Sequence, residues 1–208
     1  VFLDRQILCA CVVLASITIT GCSSSDTRGI DPAIESAKAR VKFKDQGRYV
    51  RDLASGLGLG QDEVCKELGL YDCYEVAHRI TLGGVEPYNR GIREPLPVAP
   101  VTKPIAADRV ALNACATRVD RDFDTPGEAL MFGDLATIGP TEEQLEAAAS
   151  LIYERLLRRA ASTREVRALV SFYDEAVEEL DGTDDDPTRE WAVGSCFAVA
   201  TTMEGLFY

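Results

Sequence analysis

Apolar residues recur at three- and four-residue spacing along most of the chain, a period that predicts α-helices. In the first half, Asp31 and Pro32 are typical of a helix start, because an aspartate caps the first turn and a proline suits its first position. Gly58 ends one predicted helix, and Asp72 opens another as its N-cap. The helices predicted in this half cover residues 31–44, 49–57, 62–68 and 73–82.

The second half carries the clearest helical signals. Capping boxes begin at Thr141 and at Ser162, and Asp186-Pro187 is an N-cap followed by a proline. The segment 191–202 is apolar or small nearly all round, which is typical of a helix buried in the middle of a bundle. The helix predicted over residues 107–123 has an apolar stripe formed by Leu112, Cys115, Val119 and Phe123.

Prolines interrupt the pattern between the two halves. Proline lacks the N–H that a helix needs and fixes φ, so residues 85–105 are predicted to be extended. Two interpretations stay open, a free linker or a strap that lies on the surface, and interleaved apolar residues favour the strap. We therefore predict an all-α protein of about eight helices, in which this proline-rich strap joins a small N-terminal helical part (residues 30–84) to a larger C-terminal helical bundle (residues 106–208).

Composition narrows the class of protein. The chain has 208 residues, with 34 acidic and 22 basic side chains and a net charge of -12. A hydrophobic content of 46% is that of a globular protein. An acidic surface repels phosphate backbones, so nucleic acid is not expected as a partner.

The first residues are predicted to be a targeting signal. Residues 7–20 are apolar apart from small Ser and Thr side chains. Fourteen residues give a helix of about 21 Å, too short to cross a bilayer core of about 30 Å but typical of the apolar region of a signal peptide.

This apolar run ends in Ile19-Thr20-Gly21-Cys22, which resembles the lipobox of bacterial lipoproteins. The resemblance implies removal of a signal peptide, residues 1–21, and lipidation of Cys22. Residues 22–29 would then be a serine-rich tether. The residue after Cys22 is not aspartate, which resembles the outer-membrane sorting pattern. An ordinary cleaved secretory signal, with Cys22 incidental, is the alternative.

Four cysteines remain after such processing, and an even number in an oxidising compartment predicts two disulfides. Three pairings are open, of which we favour a short-range and a long-range bridge. Four buried free thiols are expected instead if this region stays inside the cell. The favoured pairs are Cys65–Cys73 and Cys115–Cys196.

Residue types that could carry chemistry occur without a complete motif. Asp120, Asp122 and Asp124 alternate as in a calcium-binding loop, but the glycine and the final glutamate of such a loop are missing, so we expect a solvated helix end. His78, the single histidine, is expected to be structural because no nucleophile motif accompanies it. We predict no catalytic residues, no metal site and no cofactor.

Two stretches near the C-terminus carry a second resemblance. LIYERLLRRAASTREV (residues 151–166) and SCFAVATTMEGLFY (residues 195–208) resemble helical modules in planctomycete-type cytochrome-associated envelope proteins. The chain departs from that pattern at Ala161, where the pattern has proline, and at Gly205, where it has a bulky aromatic residue. It also lacks a haem motif. The resemblance implies a helical fold and an envelope setting, and no activity.

Together these features predict a lipid-anchored protein of the cell envelope, attached to the outer membrane and facing the periplasm or exterior. The expected role is non-enzymatic docking of a protein partner, in a membrane-associated redox or transport assembly. The alternative is a lipoprotein that binds a small ligand or a metal. A hydrolase that uses the acidic groups is the least favoured class, since the sequence offers no site constellation.

Overall fold

The computed structural model describes residues 41–95, 100–136 and 139–208. The predicted signal peptide, the lipidation site Cys22 and the tether lie outside the described residues. So do residues 31–40 of the first predicted helix, while residues 41–44 are extended and pair with the C-terminal end of the chain.

The described part of the chain is mostly helical, which confirms the predicted all-α class. It also holds a two-stranded antiparallel sheet that the sequence pattern did not predict. Among the described residues, no helix is both long enough and apolar enough to cross a bilayer. The elements are α1 (Gln46–Leu57), β1 (Lys66–Glu67), β2 (Tyr71–Asp72), a π-helical turn (Cys73–Ala77), α2 (Lys103–Asp124), α3 (Glu142–Leu157), α4 (Thr163–Glu179), α5 (Pro187–Ala200) and α6 (Met203–Leu206), with short 3-10 turns at Gln61–Glu63, Pro126–Glu128 and Gly133–Leu135.

The core of the bundle lies around α5, which packs against α2, α3 and α4. Trp191 is fully buried on α5, and its indole N–H donates to the backbone oxygen of Leu169 at 2.7 Å. The Cys115–Cys196 disulfide joins α2 to α5 in the same layer. The expectation that the last helix is central is therefore confirmed.

The predicted caps hold these helices in place. Thr141 and Ser162 each accept a hydrogen bond from the backbone N–H three residues on, and the third residue returns the bond in both capping boxes. The Asp186 carboxylate accepts from the backbone N–H of Thr188. Asp186 thus caps α5, as the Asp186-Pro187 pair predicted.

Helix α1 packs against α2 and α3, so the N-terminal residues contribute to the same hydrophobic core as the bundle. The buried Tyr49 hydroxyl donates to the backbone oxygen of Ala107 at 3.0 Å. Gly58 ends α1 with φ of 61°, a left-handed conformation that glycine adopts without steric cost. Helix α1 and its glycine end follow the prediction closely.

The strap prediction is only partly right. Helix α2 begins at Lys103, so the last three residues of the predicted strap are helical, and Pro104 lies in the first turn, where its missing N–H is not needed. Val101 and Ile105 are 92% and 61% exposed, so these two apolar residues do not hold the segment against the core. The apolar positions at 96 and 98 lie outside the described residues.

The apolar stripe predicted for α2 also needs correction. Cys115 and Val119 are fully buried as expected, but Leu112 is 48% exposed. Four alanines lie on the buried face of α2, and their small side chains let the helix approach its neighbours closely. They are Ala106, Ala107, Ala111 and Ala114.

Candidate functional site

The most unusual region of the molecule is a small disulfide-closed hairpin beside α2. Strand β1 pairs antiparallel with β2, with Lys66 opposite Asp72 and Glu67 opposite Tyr71. The Cys65–Cys73 bridge closes the base of this hairpin, and both cysteines are buried. A helix was predicted over residues 62–68, and this prediction is wrong. The apolar residues there are too few to form a helical stripe, and Gly69 forms the turn of a hairpin instead of ending a helix.

The segment after the hairpin also differs from its prediction. Asp72 does cap it, accepting from the backbone N–H groups of Tyr74 and Glu75 at 3.1 and 2.8 Å. The chain then makes only a π-helical turn, Cys73–Ala77, and continues in turns to Gly83. The predicted helix over residues 73–82 is therefore wrong in length. The disulfide and the hairpin hydrogen bond from Cys73 to Cys65 hold its first residue in place.

The hairpin tip is strained and apolar. Leu68 has φ of 54°, a left-handed conformation that a branched side chain rarely adopts, and Gly69 follows with φ of 69°. Leu68, Leu70 and Tyr71 are 87%, 75% and 56% exposed. A strained backbone that presents leucine side chains to solvent serves no evident packing purpose, so this tip is a candidate contact surface.

A carboxylate connects the hairpin to the rest of the molecule. Glu67 Oε1 lies 3.0 Å from His78 Nε2, and Glu67 Oε2 accepts from the Arg109 guanidinium on α2 at 3.0 Å. His78 and Glu67 are both mostly buried. The His78 ring nitrogen thus has a carboxylate partner that Arg109 also holds, and the structural role expected of His78 stays a prediction.

A groove of about 300 Å³ separates the hairpin from α2. Leu68 lines one wall and Leu112 the other, which explains why Leu112 faces away from the core. The Lys66 N–H donates to the Asn113 side-chain oxygen at 3.3 Å at the floor. One signal for this site is present in the sequence, the Leu68-Gly69-Leu70 stretch between two cysteines. The exposure of these two leucines depends on where the fold places the hairpin, and the periodicity of the sequence does not encode that position.

The aspartate cluster at the end of α2 is divided between two roles. Asp122 is fully buried, pairs with Arg118 in an ion pair of 2.6 Å, and accepts from the backbone N–H groups of residues 130–132 at 2.9 to 3.0 Å. The expected solvated helix end is therefore wrong for Asp122, which organises a loop. Asp120 and Asp124 are exposed and both bind Arg189.

No metal centre is evident within residues 41–95, 100–136 and 139–208, where no group of three or more His, Cys, Asp or Glu side chains is placed to hold an ion. The two disulfides are the pairs favoured from the sequence, Cys65–Cys73 and Cys115–Cys196.

Gly205 limits how far the C-terminal resemblance can extend. A Cβ atom at this position would overlap the backbone oxygen of Ala200. The chain therefore cannot place a bulky aromatic residue there without moving the turn between α5 and α6.

Comparisons with models of protein families, with curated proteins and with solved structures found no match for this chain.

Proposed function

We propose that this chain is a lipid-anchored protein of the cell envelope that docks an envelope protein through its hairpin tip, in a membrane-associated redox or transport assembly. The observation that carries the docking role is the exposed pair Leu68 and Leu70 on a strained, disulfide-closed turn. The partner surface that fits it is an apolar cleft, because Leu68, Leu70 and Tyr71 are all exposed within four residues of chain.

The anchor is supported by residues at the start of the chain. An aliphatic residue, two small residues and Cys22 follow an apolar run of signal-peptide length, and three serines come next. Several acyl chains at Cys22 would give stable attachment, since a single chain binds only marginally. Two disulfides agree with an oxidising compartment outside the cytoplasm.

The docking role is supported by how the tip is held. A two-stranded hairpin alone is marginal in water, so the bridge and the Glu67 contacts to His78 and Arg109 fix its shape before a partner arrives. A fixed shape reduces the conformational entropy that binding must remove. Neighbouring apolar side chains that are exposed together on a fixed scaffold are a feature of protein contact sites.

Site-specific photo-cross-linking in intact cells tests the docking role. A photoreactive residue at position 68 or 70 should give one discrete adduct with an envelope protein. The same residue at Met203, which is 65% exposed on α6, should give none. Adducts of equal yield at all three positions, or no adduct at 68 and 70, would count against docking by the tip.

Metabolic labelling tests the anchor separately. Radioactive palmitate should enter the wild-type chain and not the Cys22→Ala variant. Fractionation should then place the labelled chain with outer membranes. Label that persists after Cys22→Ala would overturn lipidation at this residue.

A small-ligand role is the second candidate, and the groove between the hairpin and α2 favours it. Its volume of about 300 Å³ lies at the lower end of the range for ligand sites. A ligand held there should raise the melting temperature as its concentration rises, whereas a docking protein should show no such shift in a small-molecule or metal-ion panel. Loss of the shift in Leu112→Asp would assign it to this groove.

A further inference from the structure

A strongly basic segment lies where the chain enters its folded body. Residues 38–51 hold six basic residues and one acidic residue, a net charge of +5. The whole chain carries -12, so the remainder carries -17. Three of the five lysines of the chain fall within residues 38–44. Such segregation gives this end of the molecule a charge opposite to that of the rest.

Backbone and aromatic contacts fix the position of residues 42–44 of this segment. The Lys42 N–H donates to the Tyr208 backbone oxygen, and the Tyr208 N–H donates back to Lys42, both at 3.0 Å. The Phe43 ring packs on Phe207 with centroids 4.8 Å apart. Since side chains alternate along an extended segment, Phe43 turns inward and Lys42 is left exposed.

Helix α1 continues the positive charge away from this point. Arg48 and Arg51 are both exposed and lie within one turn of each other. Ser55 follows on the same side, and its Oγ accepts from Arg158 Nη2 at 2.9 Å. Arg158 lies at the end of α3, so the positive surface extends across two helices. We call the exposed residues Lys42, Arg48, Arg51 and Arg158 the basic face; Lys44 is buried and is not part of it.

Most of this charge is not neutralised locally. Asp52 binds Lys44 at 2.9 Å and lies 3.7 Å from Arg48. Within the described residues, no carboxylate lies within ion-pair distance of Lys42, Arg51 or Arg158. A recess of about 290 Å³ lies between Arg48 and Arg158, with Tyr208 at its edge, and Asp52 and Glu204 also line it. The Arg48 guanidinium is 5.5 Å from the Tyr208 ring centroid, which holds it beside the recess.

We propose that the basic face binds the phosphate groups of anionic phospholipids and holds the folded body against the membrane in one orientation. This rests on the proposed anchor, because the basic face begins where a chain lipidated at Cys22 would join the body. Basic side chains next to an anchor are attracted to an anionic surface. The remaining surface is strongly acidic and is repelled by the same membrane, so only this face can approach it.

Lysine labelling of the full chain on vesicles tests the orientation. The protein is reconstituted with vesicles of phosphatidylcholine alone, or of phosphatidylcholine and phosphatidylglycerol in equal parts, and treated with a water-soluble amine-acylating reagent. Lys42 should be protected severalfold on the anionic vesicles, and raised salt should remove the protection. Lys66 is exposed on the hairpin and is the internal control, which should label equally on both. Equal labelling of Lys42 on both vesicles would overturn the proposal.

Charge reversal gives an independent measurement. In a Cys22→Ala chain, which lacks the proposed acyl anchor, Lys42→Glu with Arg51→Glu should weaken binding to anionic vesicles at least about twentyfold, at about fivefold for each basic residue lost. Arg164→Glu with Arg167→Glu makes the same change in net charge at exposed positions on α4 and should have little effect. Equal weakening in both pairs would mean that net charge, and not this face, governs binding. Circular dichroism checks that both pairs remain folded.

Flotation of the protein with the same two kinds of vesicle, combined with the lysine labelling, separates this proposal from the anchor and from other ligands. Flotation with phosphatidylcholine vesicles but no protection of Lys42 would overturn the basic face and leave the anchor standing. Flotation only with anionic vesicles, with an unmodified Cys22 peptide by mass spectrometry, would keep the basic face and reject the anchor. Inorganic phosphate that competes at millimolar concentration would assign the recess to free phosphate and overturn the lipid. Protection of Lys42 by an acidic envelope protein instead of vesicles would overturn it as well.

Discussion

The two disulfides hold regions that differ in almost every other respect. Cys115–Cys196 joins two long helices across 81 residues of chain, and both of its cysteines are fully buried. Cys65–Cys73 spans eight residues and closes a hairpin with strands of two residues each. Around the first bridge the side chains are buried, and beyond the second Leu68 and Leu70 are exposed.

This difference shows two uses of the same covalent bond. Helices α2 and α5 already bury apolar surface along their length, so their bridge adds stability to an arrangement that packing defines. The hairpin has too few residues to bury a core of its own, so its bridge supplies the shape. A region shaped by a covalent bond does not need its apolar side chains for packing, and they are available for contact with a partner.

Removing each bridge in turn should produce the largest difference between the regions. The loop-entropy relation gives about 4.5 kcal/mol for the 81-residue span and about 2.5 kcal/mol for the eight-residue span. Cys115→Ala with Cys196→Ala should therefore lower the free energy of unfolding more than Cys65→Ala with Cys73→Ala. Urea denaturation measures both. Equal losses, or a larger loss for the hairpin, would contradict the distinction.

The next largest effect should come from the buried ion pair at the end of α2. Asp122→Asn leaves Arg118 buried without its counter-charge and weakens the bonds to the loop at 130–132, at a cost of about 3 kcal/mol. Asp120→Asn is the matched control, because Asp120 is exposed and its pair with Arg189 should contribute less than about 1 kcal/mol. Similar denaturation midpoints for the two variants would show that Asp122 is not the organiser of this loop.

The contrast between the regions also explains which elements the sequence could predict. Helices α3, α4 and α5 are long, begin at recognisable caps and bury their apolar positions, so their periodicity and their caps agree. The hairpin offered no period, because each of its strands has two residues. Its turn glycine, Gly69, was indistinguishable in sequence from a glycine that ends a helix.

The candidate site was predictable only in its covalent frame. Cysteine counting led to the correct pairs, since few pairings were possible. The burial of Asp122 was not predictable, because its carboxylate accepts from backbone N–H groups eight to ten residues away, and their position depends on the folded loop. Glu67 and His78 are not on a common α-helix, and their contact crosses the base of the hairpin. The i,i+3 and i,i+4 spacing of helical side-chain pairs therefore could not predict it.

A smaller effect should separate shape from contact at the hairpin tip. Leu68→Gly relieves the left-handed backbone and should raise stability by about 1 kcal/mol while reducing the photo-cross-link from position 70. Leu70→Gly removes an equally exposed leucine without relieving a positive φ, so it should lower stability by up to about 1 kcal/mol. Urea denaturation should therefore show opposite changes in the free energy of unfolding for the two variants. Changes of the same sign would mean that the conformation of Leu68 carries no strain.

The smallest effect should be a response to acid that both regions share. The Arg121 side chain, with the backbone N–H of Gly60, lowers the pKa of Glu63 near the hairpin to about 2. The Arg159 side chain, with Ser162, lowers the pKa of Glu165 in the bundle to about 2. Because both carboxylates have an ordinary pKa of 4.5, each contributes stability above that pH and loses it as the pH falls toward 2.

Glu63→Gln and Glu165→Gln should each reduce the fall in melting temperature between pH 5 and pH 2, by small and similar amounts, because both pairs are solvent-screened. Raised salt should weaken both contributions together. If only Glu63→Gln reduces the fall in melting temperature, the stability of the hairpin region depends on its surface charges as well as on its disulfide. A disulfide and an ion pair would then stabilise the hairpin region, whereas side-chain packing stabilises the bundle. The two regions would differ more than their disulfides alone indicate.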